Sequence, residues 1–159
     1  MRKGVISVLS TAVGAGVGAI AIKKKMEPKI NNALGYSKKH LALYVMMNDW
    51  VKIKQEGKNL KDYFEKHNYK NIAIYGMSYA GETLVNELRN TGINVKYGID
   101  KNANRIYSTV EVVTMDDELE AVDAIVVTAI TYFDEIEDAL CEKIDCPIIS
   151  LEDVLHEMQ

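Results

Sequence analysis

The stretch Ile72-Ala73-Ile74-Tyr75-Gly76-Met77-Ser78-Tyr79-Ala80-Gly81 decides the fold. Its short apolar run reads as a buried strand, and the two glycines bracket a tight turn into a helix. Gly76 can take the turn, and Gly81 lets the helix sit close to the sheet. The N–H groups that open such a helix, together with its dipole, form an anion site. Ser78 stands at the middle position, where a glycine would let the backbone approach a pyrophosphate; its hydroxyl can itself bond a phosphate oxygen. Asp100 follows Gly76 by 24 residues and ends the next apolar run, where dinucleotide-binding domains place the acid that accepts from ribose hydroxyls. The same residues also make a fold-defining turn with no ligand, and both readings stay open at this point.

Outward from the turn, short apolar runs alternate with amphipathic segments. Strands are expected at 72–75, 94–99, 110–114, 124–128 and 147–149. Helices are expected at 79–90 (Leu84, Val85 and Leu88 inward), 133–143 and 151–158. Near-continuous apolar strands separated by helices predict an α/β domain over residues 70–159: a parallel five-stranded sheet with helices on both faces. An internal echo supports the strands. Val112-Val113-Thr114-Met115-Asp116-Asp117 parallels Ile148-Ile149-Ser150-Leu151-Glu152-Asp153, each a strand end, then Thr or Ser as N-cap, then an acid three residues on.

Catalytic groups are sparse. Tyr97-x-x-x-Lys101 has the spacing of a dehydrogenase Tyr/Lys pair but straddles a strand end, where the two cannot share a face. Thr128, Thr131 and Tyr132 follow the fourth strand, at the sheet edge where ligands bind in such folds; they line a pocket or cap the next helix. Cys141 and Cys146 are too few for a zinc site with the scattered His40, His67 and His156, and read as buried, reduced core cysteines. No metal site is expected.

The N-terminal 69 residues differ in kind. Residues 1–70 carry 14 Lys/Arg against 5 Asp/Glu, and residues 71–159 carry 5 against 18, so charges of +9 and −13 hide under a net −4. The acidic half argues against nucleic acid, and the basic half fits an anionic membrane surface. Residues 4–22 hold no charge and, as a helix, span roughly 28 Å, close to a bilayer core. A single-pass transmembrane helix within residues 1–25 is expected. The rival is a signal peptide, which Lys23, Lys24 and Lys25 disfavour. Their excess over Arg2 and Lys3 places the C-terminal domain in the cytoplasm. Gly14 and Gly18 form a small-xxx-small pattern that hints at a homo-oligomer. Residues 26–69 read as a helical connector. It holds a polar linker or short helix, then a helix capped by Ser37 and stopped by Gly57, then a shorter one capped by Asn59 and stopped by Asn68. The Met46, Met47 and Trp50 face is expected to pack on the α/β domain or on a second copy.

Residues 72–100, with 147–155, resemble the small Rossmann-like nucleotide-binding modules of bacterial cell-surface polysaccharide biosynthesis, such as those that precede sugar acyltransferase domains. The resemblance implies that Gly76, Ser78, Gly81 and Asp100 hold NAD or a nucleotide-sugar, with Tyr79 and Thr128 completing the candidate set. Together with the membrane helix expected from residues 4–22, it implies a membrane-anchored binding module that accompanies a glycan-assembly enzyme. A non-catalytic interaction module and a minimal NAD-dependent sugar epimerase or oxidoreductase are the alternatives.

Overall fold

A computed structural model describes the backbone of residues 2–159 and the side chains from Met26 onward, except Pro28 and Ile30. The expected membrane helix, the Gly14/Gly18 pattern and the lysine flank at 23–25 lie outside the described side chains. Among the described residues, no helix is long and apolar enough to cross a membrane. The chain forms two units, Met1–Leu41 and Ala42–Gln159.

From Arg2 onward the first unit is helical, part of α1 (Arg2–Gln55). Ser37, expected as an N-cap, lies inside this helix. Gly35 does not adopt a positive φ, so nothing there ends the helix and Ser37 has no free terminus to cap.

In the second unit, residues 42–55 of α1 stop at a Schellman motif. Gly57 takes φ +75°, its N–H reaches Lys54 O at 3.0 Å, and the Lys58 N–H reaches Ile53 O at 3.2 Å. Asn59 Oδ1 then accepts the Lys61 N–H at 2.9 Å and opens α2 (Lys61–Lys66). Asn68, at φ +60°, closes it. The chain continues through β1 (Asn71–Tyr75), α3 (Tyr79–Leu88), β2 (Asn94–Ile99), β3 (Glu111–Val113), β4 (Ala124–Val127), α4 (Phe133–Cys141), β5 (Ile148–Ser150) and α5 (Leu151–Met158). All pairings are parallel and the order is β3-β2-β1-β4-β5, that of the first five strands of a dinucleotide-binding sheet.

Strand alternation sends side chains to two layers. Ile72, Ile74, Ala124 and Val126 meet Met46, Trp50 and Ile53 of α1, Phe64 of α2, Leu84 and Leu88 of α3, and Leu151 and Leu155 of α5. Ala73, Ile125, Val127 and Tyr97 meet Ile136 and Leu140 of α4. The methionine and tryptophan face of α1 thus packs on the α/β domain. One carboxylate joins three helical segments: Glu87 accepts from Trp50 Nε1 at 2.6 Å, from the Leu60 N–H at 2.8 Å and from Lys54 Nζ at 3.0 Å.

Three expectations need correction. α3 ends at Leu88 rather than 90, because Asn90 turns to φ +63°. The internal echo is half kept. Ser150 Oγ caps α5 by accepting from the Glu152 N–H at 3.2 Å. Thr114 Oγ1 makes the equivalent contact, accepting the Asp116 N–H at 3.3 Å, and the Thr114 N–H and hydroxyl also reach Asp117 Oδ2, but these bonds close only a turn. Asp123, held by the Lys70 and Asn71 N–H groups at 2.8 and 2.7 Å, already lies at the start of β1, so the intervening chain runs directly across the sheet. Finally, the cysteines are free as expected but only one reaches the core: Cys146 is half-buried against the α4 layer, whereas Cys141 is exposed. Cys141 follows Leu140, which takes the inward position on the last turn of α4.

Candidate functional site

Strand β1 connects to β2 through α3 on one layer, and β4 connects to β5 through α4 on the other. β1 and β4 are neighbours, so the connections diverge between their C-terminal ends, the place where open α/β sheets bind ligands. Residues 76–81 leave β1 at this edge and residues 128–132 leave β4 beside them.

Gly76 is buried at φ +94°, a conformation that favours glycine, and its N–H reaches Ile99 O at 2.8 Å. A Cβ there would stand 2.7 Å from Thr128 Oγ1. Gly81 has no room for a side chain either, since a Cβ would collide with the Gly76 carbonyl oxygen. The two glycines therefore seat the first turn of α3 on the end of β1. Ser78 holds the N-cap position in extended conformation without a side-chain capping bond, and it is exposed. Tyr79 is 93% exposed. The opening N–H groups of α3 lie at the same edge.

Asp100 is half-buried at the end of β2. Its Oδ2 accepts the Met77 N–H at 3.1 Å and its Oδ1 the Asn102 N–H at 2.8 Å. The acid thus braces the glycine turn with one oxygen and its own loop with the other, each keeping capacity for a second donor. Burial, and then the Asp100 charge, push the Tyr75 phenol above its ordinary value.

Gly76, Ser78, Tyr79, Gly81 and Asp100 thus come together around one turn. Thr128 joins them from β4 in a different role. It is 2% exposed, its hydroxyl donates to Gly76 O at 2.6 Å, and its N–H donates to Tyr75 O at 2.9 Å. It holds the turn and caps no helix. Thr131 and Tyr132 lie exposed beyond it.

Sequence reasoning missed two residues. Gly98 of β2 leaves the space that Met77 fills, with Met77 Sδ 2.6 Å from where a Cβ would stand; a glycine inside a strand was the available signal. Glu82, in the first turn of α3, has a carboxylate oxygen with no partner, which no sequence pattern reveals. Tyr97, considered above with Lys101, is buried with its hydroxyl donating to Glu120 O at 2.7 Å. Burial first, then Cys146 and Glu120, push its phenol up to about 12. Among the described residues, no three His, Cys, Asp or Glu side chains are grouped to hold a metal.

Comparison with protein families, with curated proteins and with solved structures finds no match to this chain.

Proposed function

We propose that this protein binds a nucleotide or nucleotide-sugar at residues 76–81 and Asp100, as a membrane-anchored module that accompanies cell-surface glycan assembly. One observation carries the binding reading: a buried positive-φ glycine, a helix start with no room for a Cβ at Gly81, and a strand-end carboxylate on the Met77 N–H meet at the sheet's switch point. That geometry presents helix N–H groups to a phosphate and an acid to a hydroxyl. The glycan setting rests on the resemblance of residues 72–100, and the anchor on the uncharged run at 4–22 with its lysine flank.

Thermal unfolding of the full chain with NAD, NADP, UDP-glucose and UDP-N-acetylglucosamine tests the binding. A ligand at 100 times its dissociation constant adds about 2.7 kcal/mol. No shift with any of the four removes the proposal.

The interaction-module reading has its own support. An apolar cavity of about 320 Å³ lies between α1 and α3, lined by Met47, Trp50, Val51 and Thr83, and Val51 is exposed beside it. It predicts that the full chain shifts with no nucleotide while Val51→Glu abolishes a protein contact.

A further inference from the structure

Cys141 and Cys146 are the two cysteines of the chain, and both are free. One ends α4 and the other stands two residues before β5. The helix closes on Leu140, whose carbonyl oxygen accepts the Lys143 and Ile144 N–H groups at 2.9 and 3.0 Å. From there Ile144, Cys146 and Ile148 alternate onto the layer that holds Ile136 and Leu140 of α4. Both cysteines line one open cavity of about 480 Å³, together with residues 142–145.

The two thiols differ in surroundings. Cys141 is exposed and Cys146 half-buried. Burial, then the charges of Asp145 and Cys141, push the Cys146 thiol above its ordinary value, so the two sulfurs lie within electrostatic reach of each other. An accessible thiol beside a half-buried one kept protonated suits an attacking and a resolving cysteine. The charges select the oxidant. Glu142 and Asp145 flank Lys143 in the cavity wall, and residues 71–159 carry 18 acids against 5 bases. That field repels an anionic disulfide such as oxidised glutathione and leaves a small neutral hydroperoxide unopposed.

We propose that Cys141 and Cys146 are a dithiol that a hydroperoxide closes to a disulfide, Cys141 reacting first and Cys146 resolving it. The Cys141 thiolate attacks one peroxide oxygen and the O–O bond breaks. Hydroxide leaves, takes up the proton that Cys141 released, and departs as water; Cys141 is left as a sulfenic acid. The Cys146 sulfur then attacks the Cys141 sulfur, the S–O bond breaks, and the departing hydroxide carries off the Cys146 proton as a second water. Two thiols give up two electrons to form one disulfide, and hydrogen peroxide is reduced to two waters. The bond ties the last turn of α4 to the entry of β5, at the end of the sheet opposite the glycine turn.

The test treats the full chain with hydrogen peroxide, alkylates it in denaturant and weighs it intact. The wild type should lose two hydrogens, stay monomeric, take up no N-ethylmaleimide, and regain both thiols with dithiothreitol. Cys146→Ser should stop at a Cys141 sulfenic acid that dimedone traps. Cys141→Ser should leave Cys146 open to alkylation at doses that oxidise the wild type completely. Oxidised glutathione at the same dose should leave both wild-type thiols free. Two free thiols in the peroxide-treated wild type overturn the proposal. So does a main product that is a sulfinic acid or a disulfide between two chains. Oxidation of Cys141→Ser as fast as the wild type, or faster closure by oxidised glutathione than by peroxide, overturns it as well.

Discussion

At Gly81 the absence of one carbon decides how closely α3 approaches β1. Gly81→Ala forces that carbon onto the Gly76 carbonyl and should cost about 1–3 kcal/mol in urea unfolding. A change under about 0.5 kcal/mol would show that the helix slides away freely. Asp100→Ala strips the acceptor from the Met77 and Asn102 N–H groups, so it too should destabilise, by about 1–3 kcal/mol. A sequence reading treats a rim acid as removable without cost; the two backbone bonds are invisible to it because they depend on how the turn closes. Acid sensitivity also belongs to single residues. Backbone N–H groups of Asn71 and Lys70 hold the Asp123 carboxyl below its ordinary 3.8, as Thr114 does for Asp117. Lys66 and His67 hold Glu157 below its ordinary 4.5. A lowered carboxyl binds fewer protons folded than unfolded. Its contribution is therefore present above the ordinary value and lost as pH falls through the lower folded one. Urea midpoints should fall below about pH 4, and Asp123→Asn should flatten that decline. Tyr63 and Tyr97, both pushed up to about 12 chiefly by burial, act with the opposite sign. Their contribution is complete below pH 10 and disappears between about 10 and 12.

Among the elements, α3 is held by an apolar face and by a single acid. Leu88 is 1% exposed, and Leu88→Ala should cost on the order of 2–5 kcal/mol. Glu87→Ala should cost about 3 kcal/mol, because it leaves the Trp50 indole N–H, the Leu60 N–H and the Lys54 amine without their shared acceptor. Glu87→Gln should lose less, and the difference measures the charge. The inward residues of α3 were legible because Leu84, Val85 and Leu88 repeat at three and four. Glu87 was not, since nothing in a helix's own sequence names partners 27 to 37 residues away. Caps were legible where geometry forces a residue type, as at Gly57 and Asn68 with positive φ. They misled where a type is merely tolerated: Ser37 sits mid-helix, and Thr114 with Asp117 closes a turn that never becomes a helix.

For the molecule as a whole, the alternation of apolar runs with amphipathic segments was enough to foresee five strands in a parallel sheet covered on both faces, since that pattern leaves few other ways to bury the strands. The turn at 76–81 was readable from its glycines, whereas the engaged hydroxyl of Thr128 and the unpartnered oxygen of Glu82 arise only from packing. The anchor proposal is tested by fractionation. The full chain should sediment with membranes and resist alkaline carbonate, and recovery in the soluble fraction would sink it.

The layer that joins Met46, Trp50 and Ile53 to Leu151, Val154 and Leu155 unites early and late parts of the unit. During synthesis at about 5–20 residues per second, the ribosome finishes α1 roughly 5 to 20 s before it finishes α5. Throughout that interval the nascent chain carries an apolar helical face whose cover has not yet been made. Slowing translation over residues 56–158 should therefore lengthen the exposure of that face and the time in which a chaperone can bind it.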